Sequence, residues 1–244
     1  MQDELFRDEQ LLIDEAEKYL KNLGDAEVPR DKYAALLGRY KRLLMEMRHI
    51  NRVSDLMSGG LNSVKHSLEE RVNLDELTGL YNRRHFLISL ERYYKEAMRG
   101  GMPLGLLFID VDCFKKYNDN YGHVMGDTVL ASVAKALAHS TLRPFDFVAR
   151  YGGEEFCIIL PCADRVGVMT VAGRVLDNVR GLNITHSYSS AAKTVTVSVG
   201  ATSAIIEKDA RYSIEDIIKT SDEAMYVSKT TGRDKVTFLD ICRE

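Results

Sequence analysis

Carboxylates carry most of the chemistry this 244-residue chain offers. Asp110 closes an apolar run, residues 104–109, that is broken only by Gly105. An apolar strand that terminates in an acid carries it to the rim of a sheet, where ligands commonly bind. Two more acids, Glu154 and Glu155, follow directly on Gly152-Gly153 within Arg150-Tyr151-Gly152-Gly153-Glu154-Glu155. The glycines let the backbone turn sharply and leave room for a bulky group to approach. Successive residues of a resumed strand point to opposite faces, so only one of the two glutamates can face Asp110's site directly. Carboxylates brought to one spot repel unless a proton or a cation holds them. With no His or Cys beside them, oxygen ligands suit Mg²⁺ or Mn²⁺ rather than zinc. A Gly-Gly hairpin bearing two solvated acids explains the same residues equally well.

The elements that must position these groups alternate from Asp75 onward. Residues 83–99 read as a helix, ended by Gly100-Gly101 with Pro103 just beyond. Residues 104–111 read as a buried strand and 124–142 as a helix with Val129, Val133, Ala136 and Leu137 on one face. Strands over 147–151 and 155–160 join through Gly152-Gly153. A helix over 164–179, a Thr/Ser-Val strand over 193–201, a helix over 214–230 and a strand over 235–239 complete the pattern. Hairpins mixed with crossover helices imply an α+β sheet with packed helices.

The first 74 residues differ in texture. Leu5, Leu12, Ala16, Tyr19 and Leu23 follow helical spacing until Gly24 and Val28-Pro29 break it. A longer helix begins near Asp31, and from Leu36 the steps alternate four and three: Leu36, Tyr40, Leu43, Met47, Ile50, Ser54, Met57, Leu61, Val64, Leu68. All but Ser54 are apolar. That is a coiled-coil seam, which in a parallel homodimer pairs two copies of the chain; the alternative is an amphipathic hairpin packed on its own domain. Gly59-Gly60 lies inside the seam and allows a hinge. The expected division is therefore an all-α helical segment for dimerisation and signalling over 1–74, then a second domain over 75–244.

Composition narrows the partners. Lys+Arg number 33 against 36 Asp+Glu, a net charge of −3, which gives no polybasic footprint for a nucleic-acid polymer or an anionic membrane. No apolar run approaches the ~20 residues of a membrane span. The acidic opening, MQDELFRDE, is wrong for a secretory signal, and four cysteines without metal-ligand spacing read as reduced thiols. The expectation is a soluble cytoplasmic protein.

Residues 150–156 (RYGGEEF) resemble the signature of the GGDEF family of diguanylate cyclases, in its Glu-for-Asp form. Four further blocks resemble that family in order: 75–84 (DELTGLYNRR), 108–127 (FIDVDCFKKYNDNYGHVMGD), 194–200 (TVTVSVG) and 221–233 (SDEAMYVSKTTGR). The resemblance implies a ferredoxin-like sheet akin to polymerase palms, GTP as substrate and cyclic di-GMP as product. It assigns Mg²⁺ (or Mn²⁺) to Asp110, Glu154 and the Val111 carbonyl, and handling of the attacking 3′-hydroxyl to Glu154 or Glu155. Asn118 and Asp127 read the guanine edge, with His123 adjacent. Backbone N–H groups around Phe114 and Lys115 cradle phosphates, Gly152 and Gly153 leave the nucleotide space, and Lys229 and Arg233 reach the β/γ-phosphates. On the residues alone, His123 is equally a turn histidine, and Lys229 and Arg233 are favourable charges at a helix C-terminus.

The same resemblance makes Arg143-Pro144-Phe145-Asp146 an RxxD product-inhibition motif with Arg174 in support, where a bare Arg-x-x-Asp is more often a surface ion pair. Two facing domains are required, since one GTP cannot cyclise alone. A catalytically silent GTP or cyclic di-GMP receptor is the alternative, and a cyclase making an adenine-containing dinucleotide is a third reading, disfavoured by Asp127. The chain departs from the family pattern at Cys113, in place of an aromatic, and at Asp234, in place of Asn.

Overall fold

In the computed structural model, residues 7–22, 34–35, 37–52, 73–206 and 212–241 are described. The chain divides into two compact units, Met1–Glu69 and Glu70–Glu244.

In the second unit, apolar runs bounded by turn residues pair into one sheet. Its strands are β1 (Pro103–Val111), β2 (Phe147–Gly152), β3 (Glu155–Pro161), β4 (Val197–Ile205) and β5 (Val236–Phe238). They lie in the order β2-β3-β1-β4-β5; only the β4–β5 pair is parallel. The first four strands thus form the antiparallel ferredoxin-like arrangement, and the class is α+β. The helices are α3 (Arg83–Gly100), α4 (Phe114–Tyr121), α5 (His123–Ser140), α6 (Arg165–Gly181) and α7 (Ile214–Thr230); α1 (Arg7–Asn22) and α2 (residues 37–52) belong to the first unit.

β1 is apolar along its length because both of its faces are covered. Leu107, Ile109 and Val111 join Phe156 and Ile158 of β3 against Val133 and Leu137 of α5 and Val175 of α6. Leu104, Leu106 and Phe108 join Ile159 against Phe86 and Leu90 of α3 and Ile217 and Met225 of α7. Each such side chain, fully buried, stabilises the fold by about 1.5–3 kcal/mol. Strand parity then decides where the acid goes. Asp110 follows Phe108 by two and faces the α3/α7 side.

Local signals end the helices where expected. Asn82 caps α3 by accepting from the His85 N–H, and Gly101 ends it in the left-handed region at φ 60°. Asp164 accepts from Gly167 at the start of α6, and Ser213 and Asp216 form a capping box on α7. Two elements differ from the sequence reading. β4 starts at Val197 rather than residue 193, because its partner β1 ends at Val111, which stands opposite Val197. Thr194 reaches only an isolated bridge to Thr185. α4 went unread because its sequence, FKKYNDNY, is poor in helix formers and lacks a side-chain N-cap; it is held by burial of Phe114 and Tyr117.

In the first unit, α1 (Arg7–Asn22) and α2 (residues 37–52) meet through Ile13 and Leu44, with Leu37 packed against them. Lys41 and Glu17 form an ion pair across the two helices. The seam positions face elsewhere: Leu43 is 55% and Ile50 63% exposed, and Tyr40 and Met47 are exposed too. α2 thus carries two apolar stripes about a quarter turn apart, one of them exposed among the described residues. Leu36, the seam from Ser54 to Leu68, the Gly59-Gly60 hinge, and the breaks at Gly24 and Pro29 lie outside the described residues.

Candidate active site

The site forms where β1 ends. Asp110 pairs across the ladder with Glu155, and directly opposite residues share a face. Glu155 is therefore the glutamate that stands beside Asp110, while Glu154 sits in the β2–β3 turn with its carbonyl accepting the Val111 N–H at 3.3 Å. Asp110 is only 5% exposed, and Lys229 of α7 places its Nζ 2.6 Å from Asp110 Oδ2. Burial raises the Asp110 carboxyl to about 6; Lys229 opposes this, and the charges of Glu154 and Glu155 reinforce it. Burial likewise raises Glu155, with Lys229 pulling it down and Asp222 and Glu154 pushing it up. Lys229 and the two glutamates thus all act on Asp110, and Lys229 and Glu154 act on Glu155.

Glycine brings Lys229 there. A Cβ on Gly200 of β4 would lie 2.0 Å from the Ser221 carbonyl oxygen and 2.2 Å from the Met225 nitrogen, so α7 rests its backbone on the strand. Ser228 then donates to the Val199 carbonyl at 2.8 Å, which anchors the turn that carries Lys229.

The turn itself is clamped. Arg150 donates from Nε and Nη2 to the Gly153 carbonyl, at 3.0 and 2.8 Å, and from Nη1 to both oxygens of Asp75, at 3.0 and 3.1 Å. Burial works to raise the Asp75 carboxyl, but hydrogen bonds from Thr78 and Arg150 outweigh it and hold the group below its ordinary value. Gly153 takes a φ of 50°, a conformation costly for other residues.

A second cluster lies on α4 and α5. Asn118 Oδ1 is buried without a partner and sits where a Cβ on Gly126 would come within 1.8 Å, so that glycine makes room for the amide. Lys115, His123 and Asp127 are exposed around it, and Phe114 is buried beneath. Cys113 precedes α4 at φ 57° and offers no side-chain cap. Burial works to raise the Cys113 thiol, but hydrogen bonds from Ser190 and Ser189, with a smaller contribution from the charge of Arg233 in the turn after α7, outweigh it and lower the group.

Away from both, the α5–β2 loop holds Arg143 and Asp146. The Asp146 Oδ2 accepts the backbone N–H of Arg143 at 3.2 Å, so the motif is closed by main chain. Asp146 Oδ1 and, on α6, Arg174 Nε and Nη1 are buried without partners.

Sequence reading missed the groups that hold the site together. Asp112 is 1% exposed and accepts from Thr196 Oγ1 at 2.7 Å, Ser198 Oγ at 2.6 Å and the Asp234 N–H at 3.0 Å. It ties the end of β1 to β4 and to the turn that carries Arg233. Asp234 is gripped in turn by Arg180 of α6, which donates from Nε to Oδ1 at 2.9 Å and from Nη2 to the carbonyl at 2.9 Å. The departure from Asn at 234 therefore has a partner. Its signal was available: an acid two residues beyond Asp110, and a charge where the pattern has none.

The profile of the diguanylate cyclase GGDEF domain matches residues 72–235. The chain belongs to the GGDEF family. Response regulator PleD of Caulobacter vibrioides is 40% identical over 175 residues, 72% of this chain and 37% of that protein. Diguanylate cyclase DgcZ of Escherichia coli is 38% identical over 172 residues, 70% of this chain and 54% of the relative. The chain thus spans roughly a third to a half of the curated relatives it matches. Among solved structures, diguanylate cyclase SiaD of Pseudomonas aeruginosa, in complex with its activator SiaC, superposes with a TM-score of 0.69 at 32% identity, covering 97% of this chain and 86% of that one. The coiled coil and GGDEF domain of DgcB from Caulobacter crescentus, in complex with c-di-GMP, gives 0.66 at 29% identity, covering 80% and 99%. Among the described residues of this GGDEF protein, no helix is long and apolar enough to cross a membrane.

Proposed function

We propose that this chain is a diguanylate cyclase, which condenses two GTP into cyclic di-GMP and two pyrophosphates at a site shared by two facing domains. The observation that carries the reading is the buried Asp110 at the strand end, paired with Lys229 and opposite Glu155, with the charge of Glu154 acting on it. Asp110, the Val111 carbonyl and Glu154 suit Mg²⁺ or Mn²⁺: all are hard oxygen donors, and Asp110 already holds a cation in the Lys229 ammonium. A divalent ion held by these residues would neutralise charge on the transferring phosphate. Glu155, its carboxyl raised by burial, receives the proton of the attacking 3′-hydroxyl.

Asn118 and Asp127 accept from guanine N1–H and the 2-amino group, donors that adenine lacks, and an acceptor left unpaired discriminates strongly. Phe114 and Lys115 turn backbone N–H groups toward the phosphates, with His123 beside them and Arg233 and Lys229 on the β/γ end. Gly152 and Gly153 keep side chains out of the nucleotide's way. Each domain holds one GTP, so dimerisation supplies the positioning of nucleophile and α-phosphorus.

Residues 75–244 form the cyclase domain in this reading, and residues 1–74 are a helical segment for homodimerisation and signalling. Likeness to SiaD over nearly the whole chain supports a protein activator as the signal received by α1 and α2. The unpartnered atoms of Arg174 and Asp146, beside Arg143, support a product site through which cyclic di-GMP inhibits. Use of GTP as substrate supports a cytoplasmic location.

The test is purified protein with Mg²⁺ and GTP, its products resolved by chromatography. A folded dimer that yields no cyclic di-GMP would sink the reading; loss of product in Glu154→Gln ties the activity to this site. Arg143→Ala should relieve inhibition by added cyclic di-GMP, and unchanged inhibition removes the product site.

A further inference from the structure

The proposed chemistry needs Lys229 on a phosphate and a divalent cation on Asp110, yet the structure joins these two residues to each other. At 2.6 Å from Asp110 Oδ2, the ammonium takes the lone pairs a metal would use, and it carries the same sign of charge. Lys229 cannot simply leave. Asp110 is buried, and Glu154 and Glu155 add their own negative charge to its surroundings; an unpaired buried carboxylate is far costlier than a paired one. The ammonium must therefore be exchanged for another cation, and must find other oxygens as it goes.

The structure permits that exchange without moving the helix. α7 is fixed against β4 at Gly200, and Ser228 is bonded to the Val199 carbonyl and to Thr237 Oγ1 at 2.7 Å. Lys229 itself is a flexible four-carbon stem, and its side chain remains 30% exposed. The ammonium acts on Asp110 of β1 and on Glu155 of β3; Glu154 in the turn adds its charge to both carboxylates, and Asp222 of α7 and Arg83 of α3 act on Glu155 with opposite signs.

We infer that Lys229 is a built-in counter-ion that makes metal and nucleotide binding interdependent: it holds Asp110 until a triphosphate draws it away, and only then is Asp110 open to the divalent cation. The inference deepens the cyclase reading and rests on it for the identity of the nucleotide. Its consequence is that free metal binds poorly, metal and nucleotide each strengthen the other, and the coupling is reciprocal.

The experiment is a calorimetric Mn²⁺ titration of the full chain, alone and saturated with 3′-deoxyguanosine triphosphate, which lacks the attacking hydroxyl. Mn²⁺ held by free nucleotide is subtracted, and wild type is compared with Lys229→Met. In wild type the nucleotide should tighten Mn²⁺ binding strongly. In Lys229→Met, Mn²⁺ alone should bind about tenfold tighter, and the further tightening by nucleotide should shrink by a similar factor. If the substitution tightens Mn²⁺ equally with and without nucleotide, Lys229 is a fixed repelling charge and the inference is wrong; no change in either arm also overturns it. Lys229→Arg, which keeps the charge, should retain the wild-type coupling, and a coupling as small as that of Lys229→Met counts against the counter-ion role. Turnover is not needed for these readouts. Coupling without cyclic di-GMP formation would discard the cyclase reading alone, and product formation with coupling insensitive to Lys229 would discard this inference alone.

Discussion

Asp110→Asn should abolish product formation and, at the same time, make the metal-free protein more stable. Burial moves the Asp110 carboxyl from 3.8 to about 6 even with Lys229 beside it. A shift of roughly two units at 1.36 kcal/mol each is about 3 kcal/mol, and the side chain is too buried for solvent to screen much of it. Linkage fixes the sign. Below pH 3.8 the group is protonated whether the chain is folded or unfolded, and the penalty is absent. Between 3.8 and about 6 the unfolded chain ionises first and stability falls; above about 6 the full penalty is in place. The neutral amide of the variant carries none of it, and Lys229, partly exposed, can turn to water.

Urea unfolding followed by circular dichroism measures this directly. At pH 8, with a slope of about 2 kcal/mol/M, the midpoint of Asp110→Asn should lie about 1.5 M above wild type. At pH 4.5 the gain should shrink to about 1 kcal/mol. Saturating Mn²⁺ should raise the wild-type midpoint and leave that of the variant in place. A variant less stable than wild type at pH 8, or a gain of equal size at both pH values, would refute the argument that this acid is held at a cost to the fold.

Gly200→Ala puts a methyl group against the backbone of α7; it should cost about 1–3 kcal/mol as an overpacking change and raise KM for GTP as Lys229 is displaced, both measurable in the same preparation. Arg180→Ala removes the grip on Asp234 and should raise KM for GTP more than it lowers kcat, with partial rescue by Asp234→Asn. Rescue failing while the fold is intact would separate Arg180 from that turn. Leu43→Asp with Ile50→Asp places charges on exposed seam positions, and light scattering should show a monomer with low activity; an unchanged mass would refute the coiled-coil pairing.

How much could be read without the fold depends on the range of each interaction. The strand ending in Asp110, the Gly152-Gly153 turn and the α3, α6 and α7 boundaries follow from residues a few positions apart, and the structure places them at or within a few residues of the expected sites. α4 was illegible because its helix is stabilised by burying Phe114 and Tyr117, a tertiary event that no local propensity reports. β4 slid along the chain because a Thr/Ser-Val alternation fits a strand in many frames, and only the end of β1 selects one.

The same division holds at the site. By itself the sequence determined which groups exist and which are neighbours along the chain: an acid closing an apolar strand, two glutamates after two glycines, a lysine and an arginine four residues apart. Only the tertiary structure decided that Glu155 rather than Glu154 stands across from Asp110, that Lys229 is its cation, and that Asp112, Arg180 and Arg150 hold the surrounding turns. The reason is physical. A salt bridge between α7 and β1 depends on how closely a helix can lie on a strand, and that distance is set at Gly200 by an absent side chain.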